Sequence, residues 1–168
     1  MLNRNYAALS ANAPVPFQLG APVEFWIPAE GEQWREIIRQ TAIANDIPPQ
    51  LIVALIRTES GFNPNAVGPA TKYGTAKGLG QFLDSTAKDF GVDQFDPESS
   101  IRGIGAYLRY CADYVGTDLA DAVAAYNWGI GNMKKYVAER QAGKNPVMPA
   151  ETMAYVANVY YRSVILGV

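Results

Sequence analysis

The stretch Leu51-Ile52-Val53-Ala54-Leu55-Ile56-Arg57-Thr58-Glu59-Ser60-Gly61 is an apolar run of helix length that ends in a carboxylate and is stopped by glycine. Leu55 and Ile52 lie four and seven residues before Glu59, so at helical spacing the acid continues the buried stripe. Burial among leucine and isoleucine disfavours its charged form, and the negative end of the helix dipole disfavours it further. A carboxyl group kept protonated near neutral pH is what a general acid requires. A capping or salt-bridged glutamate would also stand at a helix end, so the position alone leaves both roles open.

Upstream, Ile47-Pro48-Pro49 breaks the chain, and Pro49 suits the first position of the helix. Before that break a helical pattern starts at Glu32, carries Trp34, Ile37, Ile38 and Thr41 on one stripe, and ends near Asn45. Residues 1–30 hold Pro14, Pro16, Pro22 and Pro28 among Phe17, Phe25 and Trp26. That pattern predicts an extended arm preceding a domain over residues 31–168. The arm is either an exposed tail or a segment packed on the domain or docked on a partner.

Downstream, Phe62 to Ala66 reads as a turn, and residues 67 to 80 read as a flexible glycine-rich loop. Its spacing fits neither a P-loop nor a dinucleotide fingerprint. Asp84 is expected to cap a short helix ending at Gly91, and Asp96-Pro97-Glu98 to open a longer one. On that longer helix Ile101, Ile104, Tyr107, Leu108 and Cys111 share a face, while Gly103 and Gly105 imply close helix packing. Shorter helices follow over Asp118 to Asn127 and Met133 to Gln141, broken at Gly129-Ile130-Gly131, and the last spans about Ala150 to Ile165. With no convincing strand pair, the class is all-α, about seven short helices.

Composition narrows the chemistry. At 168 residues the chain is one domain long, with 49% hydrophobic and 18% charged residues and a net charge of −2, which gives no basic footprint for nucleic acid. There is no histidine, which excludes His-based triads and the commonest metal ligand. The single cysteine, Cys111, can form neither an intrachain disulfide nor a thiolate cluster, and reads as core. An enzyme built this way works through Asp, Glu, Tyr, Lys or groups of its own substrate, with no metal or cofactor expected.

Four pieces then stand in order: Glu59-Ser60-Gly61-Phe62-Asn63-Pro64-Asn65-Ala66, Gly78-Leu79-Gly80-Gln81-Phe82, Ala125-Tyr126-Asn127-Trp128-Gly129, and Tyr155 within Glu151 to Val156. Together they resemble the soluble lytic transglycosylases of glycoside hydrolase family 23, relatives of goose-type lysozyme, over about residues 35 to 165. The resemblance implies a lysozyme-like fold that cleaves peptidoglycan between N-acetylmuramic acid and N-acetylglucosamine. It implies Glu59 as the single catalytic acid/base. Gln81 matches a glycan-contacting residue, Tyr126 a tyrosine whose hydroxyl reaches the catalytic carboxyl region, and Tyr155 a tyrosine lining the cleft. Ser60 and Asn127 complete the substrate-binding set. Three departures stand out. Gly68 replaces a serine that supports the acid in many members, Gly80 replaces a methionine and so removes bulk from one wall, and the stretch from Pro69 to Lys77 is longer than usual. Trp128, where a small residue is common, could offer a face for sugar stacking.

Two rivals follow from the same residues: a hydrolytic muramidase on this scaffold, and a non-catalytic lysozyme-like glycan-binding component of a phage particle. Asp84 and Asp96 are the two carboxylates that could serve as a second acid for hydrolysis, and each has a helix-capping alternative. The first residues carry no apolar core of signal-peptide length. With a substrate outside the cytoplasmic membrane, that predicts delivery by a phage virion or a secretion apparatus, with residues 1–30 as the docking segment.

Overall fold

The computed structural model describes residues 24–116 and 118–166. Most of the predicted arm, residues 1–23, lies outside them. Its last part does not: Phe25 and Ile27 are buried in the core, and Arg35 donates to the Phe25 carbonyl at 2.6 Å.

Among the described residues there are seven α-helices and one two-stranded sheet. A 3-10 turn at Ala29–Trp34 leads into α1 (Arg35–Asn45). This helix closes on Asp46, a non-glycine residue in the left-handed region at φ 53°, after which Ile47 N–H returns to the Ala42 carbonyl. Pro49 begins α2 (Pro49–Glu59), where its missing N–H costs no hydrogen bond. The sequence pattern suggests one apolar stripe on α2. Instead all six residues from Leu51 to Ile56 are buried, so the helix is enclosed on every side. Each leucine or isoleucine so enclosed stabilises the fold by about 1.5–3 kcal/mol. Helices α1 and α7 pack against α2, and so does α4.

The stretch read as a flexible loop is a hairpin: β1 (Val67–Thr71) pairs antiparallel with β2 (Gly74–Lys77), with Thr71 opposite Gly74. Glycine and Pro69 hide it from any propensity reading, and the register slips between Val67 and Ala70, next to Pro69. The Thr71 side chain fastens the tip. Its hydroxyl donates to the Gly74 carbonyl at 2.8 Å and accepts from Tyr73 N–H at 3.1 Å.

Helix α3 (Asp84–Phe90) ends at Gly91 in the left-handed conformation, as expected. Asp84 does not cap it. It is the first helical residue, and its carboxylate pairs with Lys77 on β2 at 2.7 Å. Helix α4 (Pro97–Val115) is capped by Asp96, which accepts from Ser99 N–H at 2.7 Å. Ile101, Ile104, Leu108 and Cys111 are wholly buried along it. Gly103 and Gly105 are contact points: a Cβ on Gly103 would strike Val92, and one on Gly105 would strike Thr41 and Asn45 of α1. Asp118 caps α5 (Leu119–Trp128). The chain turns at Gly129 and resumes at once as α6 (Ile130–Gln141), so Gly131 lies inside the first helical turn and not in a break. Helix α7 (Ala150–Leu166) lies against α2 and α5.

Candidate active site

The backbone reverses tightly just after the acid. Glu59 is the last residue of α2, Ser60 closes the helix, and Gly61 and Phe62 follow with φ of 60° and 67°. Such a conformation is unusual for phenylalanine and persists only when held from outside. Phe62 is buried, its ring stacks on Trp34 with centroids 6.3 Å apart, and it presses on Gly31 so closely that no Cβ fits there. Arg57 pairs with Glu30 at 3.3 Å. The end of α2 is thereby fixed in place, and Glu59 with it.

Glu59 is half-buried. Loss of hydration pushes its carboxyl up from 4.5 to about 7, and a hydrogen bond donated by Tyr155 of α7 draws it partly back. The Tyr155 hydroxyl meets Glu59 Oε1 directly. Burial and the neighbouring carboxylate together hold the Tyr155 proton well above the ordinary range, so this group remains a donor. Tyr126 of α5 is also held well above 10, first by burial and then by the charge of Glu59, which places it near the acid. Its hydroxyl, however, donates to the Gly80 carbonyl at 2.8 Å and not to the carboxyl.

Gly80 belongs to the segment Gly78 to Phe82, which is locked from several sides. Gly80 N–H donates to the buried Ser100 hydroxyl of α4 at 3.2 Å, and Gln94 Nε2 donates to the Phe82 carbonyl at 2.6 Å. The Phe82 ring packs against Tyr107 and Tyr126. The expectation that Gly80 leaves a wall of the site thin does not hold, because the space a side chain would need is filled by Phe82 and Ile104.

Gln81 has a left-handed backbone at φ 48°. Its Nε2 donates to the Gly78 carbonyl at 2.9 Å and to the Ala66 carbonyl at 3.3 Å, tying the root of the hairpin. A Cβ on Gly68 would lie 2.9 Å from Gln81 Oε1, so the place where a serine would stand is occupied by the Gln81 amide. The Thr71 hydroxyl is engaged with Tyr73 N–H and the Gly74 carbonyl at the hairpin tip, and Thr75 lies in β2.

The structure therefore brings Glu59 and Tyr155 into contact, with Tyr126 beside them and Gln81 on the adjoining segment. Ser60 follows Glu59, but its hydroxyl turns back to the Ile56 carbonyl at 3.1 Å. Asn127 is exposed in the last turn of α5. Trp128 is half-buried, edge-on to Tyr136. Neither suggested second carboxylate is free for chemistry, since Asp84 pairs with Lys77 and Asp96 caps α4. Sequence reasoning assigned no role at the site to Ser100, Gln94, Phe62 and Trp34, which hold it from behind.

A half-buried carboxyl raised to about 7, whose hydrogen-bond partner among the described residues is the Tyr155 phenol, can give a proton and take it back. The family model for the transglycosylase SLT domain matches residues 36–148. The chain belongs to that family. It is 34% identical over 108 residues to the membrane-bound lytic murein transglycosylase F of Photobacterium profundum, covering 60% of this chain and 20% of that protein. It is 27% identical to the soluble lytic murein transglycosylase of Escherichia coli K12, covering 95% of this chain and 27% of that one. The fold matches the 70 kDa soluble lytic transglycosylase of E. coli with a TM-score of 0.63 at 25% identity, over 77% of this chain and 23% of that one. Its complex with bulgecin A matches with a TM-score of 0.65, over 80% of this chain and 24% of that one. This SLT-family chain thus spans about a quarter of the length of these relatives or less.

Proposed function

We propose that this SLT-family domain is a peptidoglycan lytic transglycosylase in which Glu59 is the single acid/base. The observation that carries the reading is the state of Glu59, a carboxyl raised to about 7 by desolvation, while Asp84 and Asp96 are engaged elsewhere, by Lys77 and by the cap of α4. Protonated Glu59 gives its proton to the glycosidic oxygen as the bond to the anomeric carbon breaks, and the 2-acetamido oxygen of the same sugar attacks that carbon. Glu59, now a carboxylate, takes the proton of the sugar's 6-hydroxyl. That oxygen closes a 1,6-anhydro ring on the anomeric carbon and releases the acetamido group. No water is consumed, and the proton ends on Glu59, ready for the next bond. That the relatives are lytic murein transglycosylases supports this reading.

The test is digestion of purified peptidoglycan with mass analysis of the soluble products. Ends lighter by one water are expected, and Glu59→Gln is expected to release none. Ends carrying the full water would make the reaction hydrolysis, and glycan binding without any product would make the domain a binding module. Delivery by a phage particle or secretion apparatus through residues 1–30 belongs to the same proposal. Its check is whether deleting residues 1–23 stops the protein joining a particle while activity on purified wall persists.

A further inference from the structure

The turn that follows the acid runs against the preference of its own sequence. Asn63 N–H closes on the Ser60 carbonyl at 3.1 Å, and between them Gly61 and Phe62 have φ of 60° and 67°. Turns with positive φ at both central positions are ordinarily filled by Gly, Asn or Asp. Gly61 obeys that rule and Phe62 breaks it. What phenylalanine brings is a ring that can be gripped from outside. The ring lies almost parallel to Trp34, at 8°, and a Cβ on Gly31 would come within 2.4 Å of Phe62 Cε1. Gly31 and Trp34 both belong to the 3-10 turn Ala29–Trp34, upstream of the residues 36–148 that the family model matches. We propose that Gly31 and Trp34 are positioning residues for the acid: through the Phe62 ring they hold this turn in its left-handed form, and so fix where Glu59 stands. The proposal rests on Glu59 being the acid/base of the reaction above, and it gives a segment outside the matched residues a part in the chemistry.

The segment is itself anchored well enough to hold something. Phe25 and Ile27 are buried in the core, and Arg35 donates to the Phe25 carbonyl while its guanidinium lies 5.1 Å from the Phe25 ring centroid. The Arg57–Glu30 pair joins the same segment to α2, but both side chains are partly exposed, and such pairs contribute little. The ring contacts therefore carry the hold. The path from ring to acid is short. Ser60 closes α2 through its N–H bond to the Ile56 carbonyl at 3.0 Å, and Glu59 is the residue before it. A Phe62 released to its ordinary negative φ would pull on Ser60 and turn the end of the helix. Misplacing a reacting group by about 1 Å can cost on the order of a hundredfold in rate.

The experiment is a double-mutant cycle on kcat with purified peptidoglycan. Trp34→Ala removes the stacking partner, and Gly31→Ala drives a methyl group into the ring. Each should lower kcat by about tenfold or more while KM stays within about twofold. Trp34→Phe keeps a ring in place and should restore most of the rate. Glycine takes positive φ without support, so in a Phe62→Gly background the further loss on Trp34→Ala should shrink to within about twofold. Should Trp34→Ala not fold, Trp34→Leu takes its place in the cycle. An equal loss in both backgrounds would overturn the inference, as would a raised KM with kcat unchanged. Two readings need no substrate. The one-bond Hα–Cα coupling of Phe62 reports the sign of φ and should change in the Trp34 variant. The Glu59 midpoint, read by NMR from 13C-labelled glutamate carboxyls, should fall from about 7 toward 4.5 as the carboxyl gains water. Tyr126 and Tyr155 beside it stay protonated throughout that range, and Arg57 on its own helix is paired with Glu30. A wild type that never cleaves peptidoglycan refutes the proposed reaction alone. The coupling and the midpoint then still decide the role of Trp34, and both staying unchanged in its variant would overturn it.

Discussion

Replacing Glu59 with glutamine should make the protein more stable, and by an amount that depends on pH. Glutamine has the shape of the acid and keeps an oxygen to accept from Tyr155, so the packing of α2 against α7 is retained. What disappears is a carboxylate in a desolvated place. The folded midpoint lies at about 7, against an ordinary value of 4.5. Below 4.5 both states hold the proton and the group contributes nothing to the pH dependence. Between 4.5 and about 7 the unfolded chain releases the proton while the folded chain keeps it, so wild-type stability falls as pH rises. Above about 7 the full cost is in place. At about 1.4 kcal/mol per pH unit, this gap corresponds to about 3 kcal/mol. The remaining carboxylates titrate alike in both proteins and cancel in the comparison. Urea unfolding of wild type and Glu59→Gln should therefore differ by less than about 1 kcal/mol near pH 5 and by about 3 kcal/mol in favour of glutamine near pH 8. Equal differences at the two pH values would refute the reasoning, because they would mean that Glu59 titrates like any exposed acid. The same variant should be inactive, which would set stability against function at a single side chain.

Gly105→Ala should destabilise. Its methyl group runs into Thr41 and Asn45, an overpacking cost of about 1–3 kcal/mol against a helix-propensity gain of about 1 kcal/mol, and a thermal melt reads the net loss. A higher melting temperature would mean that α1 and α4 can separate freely. Tyr126→Phe leaves the buried Gly80 carbonyl without its donor, at about 1–3 kcal/mol by urea unfolding. If the Gly78 to Phe82 segment forms part of the glycan site, KM for peptidoglycan should rise in that variant as well.

Local rules made much of this fold legible. Pro49 and Asp96 mark helix starts because a missing N–H and a capping carboxylate act within one turn, and Gly91 marks an end by its left-handed backbone. Gly103 and Gly105 betrayed close packing because a helix interior otherwise disfavours glycine. The hairpin was hidden because its strands have little β-propensity and its register is fixed from outside, by the Gln81 side chain and by the Lys77–Asp84 pair. That same pair took Asp84 away from its expected cap. At the site, the apolar run and terminal acid made Glu59 visible, and its raised midpoint follows from that burial. The resemblance pointed to the Tyr126 hydroxyl as the one reaching the carboxyl region, whereas the hydroxyl that touches the acid is that of Tyr155. Tyr126 and Tyr155 both stand in the motif set, and only the packing of α5 and α7 determines that one binds a carbonyl and the other the acid.

The clasp at the hairpin root has a consequence for how this surface can be altered. Gly78 N–H and the Gln81 amide both close on the Ala66 carbonyl, and Phe82 bonds in both directions with Lys77. The root of the hairpin is closed there, and its tip from Thr71 to Gly74 lies beyond the closure. Lengthening a loop past such a closure costs only about 0.6 kcal/mol per doubling. The turn at Lys72-Tyr73, with Tyr73 72% exposed, is therefore a natural grafting port. A fluorophore, an affinity peptide or a second binding module inserted there would ride on the domain without moving Glu59.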